Sequence, residues 1–250
     1  MLEYLIICPL VFLAGFIDAI AGGGGLISLP AYLFAGLPVH NAIATNKLSS
    51  TMGTTISTLK YAKNGFINYK RAIPCVFFTL FGASIGANLA LVLSDKIFII
   101  IMLIILPFIA FYVLKSKNFE NPKPTYSNTK TLILCLISAF FIGMYDGFYG
   151  PGTGTFLLIF LTSIARVKLE EAAGTTKVIN LTSNITSLII YIINGKVIFN
   201  LGIVAGLFSI AGNYIGAKFF TNKGAKILHP IIISVLVIFF CKILMENFIP

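Results

Sequence analysis

Apolar positions along this chain form long unbroken runs. Ala72–Leu93, Ile97–Leu114, Val197–Ala217 and Ile227–Phe240 are such runs, and the first three contain no charged residue. A helix needs roughly 20 residues to cross about 30 Å of hydrocarbon, so the runs predict membrane-spanning helices. Strands of a membrane barrel would alternate apolar and polar positions instead. The fold class read from this pattern is all-α, a polytopic helical membrane protein.

The pattern divides into two sets of four elements. The first set is Tyr4–Ala21 broken by Gly22–Gly25 and continued as Leu26–Leu37, then Ala42–Lys63, Ala72–Leu93 and Ile97–Leu114. The second is Leu132–Tyr149, a second glycine break, Phe156–Ile164, then Ala172–Ile193, Val197–Phe219 and Ile227–Met245. The pieces after the breaks are too short to cross, which suits hairpins that enter the membrane and return. Backbone leaving helical geometry at that depth must be covered by protein or line a wet cavity. With each glycine-broken hairpin included, the count is about eight membrane segments. Residues 1–114 form the first repeat, 115–131 a polar linker rich in Lys, Pro, Ser and Asn, and 132–250 the second repeat.

The two sets are copies. Gly15-Phe16-Ile17-Asp18 matches Gly143-Met144-Tyr145-Asp146 at an offset of 128. Ala42-Ile43-Ala44-Thr45-Asn46-Lys47 matches Ala172-Ala173-Gly174-Thr175-Thr176-Lys177 at an offset of 130, the two extra residues falling at the break. The 130 offset then persists through Tyr61 and Tyr191, Asn64-Gly65 and Asn194-Gly195, Gly82 and Gly212, and Gly86 and Gly216.

Composition agrees with the class: 58% of residues are hydrophobic and 10% charged, where a soluble domain carries about 25% charge. The net charge of +10 resides in short loops between runs, as membrane orientation requires, and does not point to nucleic acid. The start, Met1-Leu2-Glu3, lacks the basic region of a cleaved signal peptide, so the first run is expected to be retained. Cys8, Cys75, Cys135 and Cys241 form no CxxC unit and read as small buried hydrophobes. His40 and His229 stand alone. No metal site and no cofactor are expected.

The loop charges also bear on orientation. If each broken element crosses once, the halves are parallel and the basic residues outside the crossings divide about 10 to 6. If each is a returning hairpin, the halves are inverted. One side then collects Lys60, Lys63, Lys70, Arg71, Lys115, Lys117, Lys123, Lys130, Arg166, Lys168, Lys218, Lys223 and Lys226, against Lys96, Lys196 and Lys242, a split of 13 to 3. The second division fits the positive-inside rule better, so inverted repeats are expected.

Charge within the runs is the candidate chemistry. Asp or Lys at a helix centre costs about 2.5–3.5 kcal/mol on translocon scales, so Asp18, Asp146, Lys47 and Lys177 are expected to face the interior. The two Asp either order the breaks by bonding nearby N–H groups or carry a proton or cation. The two Lys either snorkel to the interface or attract an anionic substrate. Thr45, Asn46, Ser49, Ser50 and Thr51 beside the first, and Thr175, Thr176, Asn180, Thr182 and Asn184 beside the second, offer hydroxyls and amides to replace a lost hydration shell. At the breaks, Gly22, Gly23, Gly24, Gly150, Gly152 and Thr153 let several N–H groups converge at the start of a half-helix, which favours an anion. No Gly-Lys-Ser/Thr follows, so this is not a nucleotide loop. Gly82-x-x-x-Gly86 and Gly212-x-x-x-Gly216 read as close helix-packing positions. The Asn-x-Thr patterns at Asn180 and Asn184 lie in an apolar run and are not taken as glycosylation sites.

Gly15 to Pro30 (GFIDAIAGGGGLISLP), Gly143 to Gly154 (GMYDGFYGPGTG), the Ala42–Lys47 stretch, the Asn64-Gly65 turn and their partners together resemble the TauE/SafE sulfite exporter family, also called TSUP, over nearly the whole chain. The resemblance implies a secondary carrier of small anions (sulfite, sulfonates or other organosulfur or organic anions) in the plasma or inner membrane, with proton coupling as an option. It carries no residue roles; those above are argued from chemistry. The partners expected are a small anion and the bilayer, and a homo-oligomer is left open. The alternatives are an intramembrane enzyme, for which no HExxH, GxSxG or paired nucleophile and base is visible, and a non-transporting assembly subunit.

Overall fold

The computed structural model describes residues 2–94, 97 and 126–223, all of the regular structure within them being helical. The expected runs after Ile97 and from Ile227 to Met245, residues 115–125 of the linker, His229 and Cys241 lie outside the described residues.

The first half contributes α1 (Leu2–Ala21), α2 (Gly25–Phe34), α3 (Val39–Lys63) and α4 (Tyr69–Val92). The second contributes α5 (Asn128–Phe148), α6 (Thr153–Ile159) with a π-helical turn over Phe160–Ile164, α7 (Leu169–Ile193) and α8 (Phe199–Lys223). The glycine breaks therefore stop helices where expected. Gly22 adopts φ +73° while its N–H still closes the last turn of α1 on Asp18 O at 2.9 Å. Ten residues of α2 span only ~15 Å at 1.5 Å per residue, half the hydrocarbon thickness. α6 starts three residues before the expected Phe156 and ends in the π turn, where Ala165 N–H bonds back to Phe160 O at 2.9 Å.

Contacts fix the helix directions. Gly212 packs on Phe12 and Gly216 on Phe16, so α8 runs parallel to α1; Gly82 on Phe140 and Gly86 on Met144 make α4 parallel to α5. A Cβ at Gly86 would stand 2.7 Å from Phe148 N, and one at Gly212 2.9 Å from Phe16 N, so these glycines let backbones touch. α8 also runs along α3, Gly202 on Leu48 and Gly206 on Met52. Helices α3 and α7 are antiparallel: Asn41 Nδ2 donates to Lys196 O (2.9 Å), Lys47 Nζ to Asn184 Oδ1 (3.0 Å) and Thr58 Oγ1 to Lys177 O (3.3 Å). Thr131 donates to Ala165 O at the start of α5 and α7, and Tyr191 to Gly147 O at their ends, so those two run together. Thus α1, α3 and α8 point one way and α4, α5 and α7 the other.

Among the described residues, α1, α4, α5, α7 and α8 each contain a stretch long and apolar enough to cross a membrane. α3 is as long as α7, 25 residues each, yet more polar, burying Thr45, Asn46, Lys47, Ser49, Thr54 and Ser57. It packs against α7 and α8, which accounts for its polarity. The outer faces of α4, α5 and α8 expose Phe77, Phe81, Ile85, Leu89, Ile137, Phe141, Ile203 and Leu207, a surface suited to lipid.

Candidate functional site

The two glycine breaks meet at the centre. A Cβ at Gly22 would fall 2.5 Å from Gly154 Cα, and one at Gly154 2.6 Å from Gly22 O. Only residues without side chains allow this approach, which brings the ends of α1 and α5 and the starts of α2 and α6 to one place.

Lys47 and Lys177 both reach across the halves to an Asp. Lys177 Nζ lies 2.8 Å from Asp18 Oδ2 and also donates to Asp18 O; Lys47 Nζ lies 3.1 Å from Asp146 Oδ1. Each Asp sits in the last turn of its helix, where the negative end of the helix dipole opposes a carboxylate; the Lys offsets that. Three of the four side chains are 3% exposed and Asp18 is 14% exposed. The Asp146 pair is further held by Ser183 Oγ, which donates to Asp146 Oδ2, and by Asn184 Oδ1, which accepts from Lys47 Nζ at 3.0 Å. Its counterparts at the 130 offset are Gly53 and Thr54, so the pairs are related but differ in surroundings. Two buried tyrosines complete the frame. Tyr61 OH donates to Ala19 O (2.7 Å) and Tyr191 OH to Gly147 O (3.1 Å), occupying carbonyls released where the helices stop. Gly147 O has no helical donor because the residue four on is Pro151.

A cavity of about 40 Å³ opens beside the breaks, room for about three waters or one compact polyatomic anion. Its wall includes Asp18, Gly22 and Gly24 of the first break, Asp146, Gly150, Thr153 and Gly154 of the second, Asn46, Lys47, Ser50 and Thr54 of α3, Asn180 and Asn184 of α7, and Ser209 and Asn213 of α8. Of the expected site residues, Asp18, Gly22, Gly24, Asn46, Lys47, Ser50, Asp146, Gly150, Thr153, Asn180 and Asn184 are thus brought together. Gly23 packs near Thr155, and Gly152 is the left-handed cap before α6; neither lines the cavity. Lys177 joins it only through Asp18. Thr45 Oγ1 accepts from Ile198 N–H at 3.1 Å, bracing the start of α8. Thr175 and Thr176 hydroxyls are buried with no hydrogen-bond partner among the described residues.

Sequence reasoning missed Ser209 and Asn213. A signal existed: both are polar residues inside the uncharged run Val197–Ala217, and Asn213 adjoins Gly212 of the packing motif. It also missed that each Lys pairs with the other half's Asp, since offsets within a duplicated sequence say nothing of partners across it.

Comparison with known proteins agrees with the resemblance. A family model described as Sulfite exporter TauE/SafE matches residues 7–243. A probable membrane transporter protein of Sinorhizobium sp is 35% identical over 224 residues, covering 90% of this chain and 85% of its own length. One from Haemophilus influenzae is 34% identical, covering 89% and 87%. The probable membrane transporter protein YfcA of Escherichia coli K12 is 32% identical, covering 94% and 87%. No solved structure matches this chain at a significant level.

Proposed function

This chain belongs to the TauE/SafE sulfite exporter family, and we propose that it is a secondary transporter moving one small anion at a time, such as sulfite, a sulfonate or another small organic anion. It is a multi-pass membrane protein, and its relatives are named as membrane transporters. The observation that carries the reading is the placement of Lys47 on a small polar cavity between the two glycine breaks. An anion leaving water needs a cation and hydrogen-bond donors in place of its hydration shell. Lys47 supplies the first; the amides of Asn46, Asn180 and Asn184 offer the second.

The two Lys–Asp pairs are together neutral, which makes proton coupling the natural accompaniment. An arriving anion competes with Asp146 for Lys47. Protonation of Asp146 removes that competition and the excess negative charge at once, so anion and proton would travel together. Asp18, the most exposed of the four, is the acid best placed to exchange protons with the cavity, and both Asp also order the ends of their helices.

The halves are read as inverted repeats, residues 1–114 and 132–250 joined by the 115–131 linker. Support comes from the opposite directions of α3 and α7, which are sequence counterparts, and from the 13 to 3 division of basic residues. α2 and α6 then serve as returning half-helices, and alternating access follows from one repeat rocking against the other about the paired breaks. The test is counterflow in proteoliposomes containing only this chain, using labelled sulfite, methanesulfonate and small carboxylates. Saturable, trans-stimulated uptake of at least one is expected; none for any anion, in either pH gradient, overturns the reading.

A further inference from the structure

The two carboxylates differ in what is left of them. Asp146 has both oxygens engaged, Oδ1 by Lys47 at 3.1 Å and Oδ2 by Ser183. Asp18 gives only Oδ2 to Lys177, at 2.8 Å. Its Oδ1 accepts from no donor among the described residues and is not sealed off by them. The Asp18 side chain is 14% exposed, against 3% for the other three, and it stands in the cavity wall, so the open oxygen has the cavity beside it. The sequence accounts for the difference. The counterpart of Ser183 is Gly53, which has no hydroxyl to give, and a Cβ there would come 3.0 Å from Ser209 Cβ. The first half therefore leaves a carboxylate oxygen open where the second half closes it.

Lys47 lines the same cavity. Its ammonium has three donors and spends two, on Asp146 and on Asn184 Oδ1 at 3.0 Å. The wall thus combines a carboxylate with an open acceptor and an ammonium with a donor to spare. The open oxygen repels a bare anion and attracts a cationic donor. We propose that the site takes small zwitterions, solutes that carry an ammonium close to their acid group. Lys47 takes the acid end and Asp18 Oδ1 accepts from the ammonium. A cavity of about 40 Å³ holds about three waters, and a solute the size of glycine fills a similar space, so that it meets both groups at once. The ammonium also supplies the positive charge that a bare anion has to obtain from a proton.

This inference rests on the anion-transporter reading and names its substrate class; the experiment separates the two. Counterflow is measured with labelled glycine and labelled glycolate, which exchange an ammonium for a hydroxyl at nearly the same size. The wild-type chain should carry glycine about tenfold faster or more. Methylammonium, which lacks the acid group, should not compete. In Asp18→Asn/Lys177→Gln, which removes the carboxylate without leaving an unpaired lysine, the ratio should fall toward one. A wild-type chain that carries the two solutes alike or favours glycolate overturns the inference and leaves the transporter reading standing. Inhibition by methylammonium as strong as by unlabelled glycine overturns it as well, and so does a glycine preference unchanged in the double variant. Glycine flux that appears only with sodium in the medium assigns the open oxygen to a metal cation and has the same force. Absence of flux for glycine and for every anion overturns both readings. Should the double variant fail to insert, the wild-type ratio and the methylammonium competition decide the matter.

Discussion

Lys177, on α7 of the second half, holds Asp18 at the end of α1 in the first, Nζ to Oδ2 2.8 Å apart. With Lys47 and Asp146 in the reciprocal position, the halves are cross-linked by charge at the depth where their helices break. This juxtaposition explains how the chain can keep four charged side chains largely buried among its helices: each is paired with a residue from the other half of the sequence, so that neither half buries its own charges satisfactorily alone.

Removing one partner of such a pair is worse than removing both. Lys177→Ala should lower stability by up to about 3–5 kcal/mol, because Asp18 is left unpaired, and the Lys177→Ala/Asp18→Ala double variant should recover most of it. Thermal unfolding in detergent of the wild type, Lys177→Ala, Asp18→Ala and the double variant gives the coupling directly. Additive losses would show that the residues do not interact.

The backbone contact between Gly22 and Gly154 admits no side chain. Gly22→Ala meets both a φ of +73° and the Gly154 backbone, and Gly154→Ala meets the Gly22 carbonyl oxygen at 2.6 Å. Either should abolish a monodisperse, transport-competent protein. Gly36→Ala is the comparison. That glycine also has positive φ, +84°, but open space around it, so its loss should be about 1–2 kcal/mol. Equal tolerance of all three changes in size-exclusion profiles would contradict the close approach.

Counterpart turns should lie on opposite faces of the membrane. Asn64 and Asn194 follow α3 and α7 and are exposed. In a chain with its native cysteines replaced, Asn64→Cys and Asn194→Cys should react with an impermeant thiol reagent from opposite sides of oriented vesicles. Labelling from the same side would rule out inverted repeats.

Much of the architecture was legible in the sequence because membrane helices announce themselves by composition and duplicated segments by spacing. The breaks at Gly22–Gly25 and Gly150–Gly154, the buried Asp and Lys residues and the close-packing glycines Gly82, Gly86, Gly212 and Gly216 were all visible as departures from simple apolar runs. What stayed hidden were relationships across the duplication. Lys47 to Asp146 and Lys177 to Asp18 are set by the three-dimensional crossing of α3 and α7, which no periodicity encodes. Asn213 was lost inside a run recognised by its lack of charge, since one neutral amide barely changes mean hydropathy. The π turn at Phe160–Ile164 leaves no compositional mark either. α3 shows the opposite case: its polarity weakens it as a membrane span by composition, and only its enclosure by α7 and α8 explains how it is accommodated.

The most direct test of the central claim is to locate the bound anion. Selenite is a heavier analogue of sulfite, and its selenium can be placed by anomalous diffraction from crystals of the purified chain. The account predicts a single strong peak in the cavity between the two glycine breaks, within hydrogen-bonding reach of Lys47 Nζ, and its loss in Lys47→Ala crystals. A peak elsewhere, or one unchanged in Lys47→Ala, would contradict it.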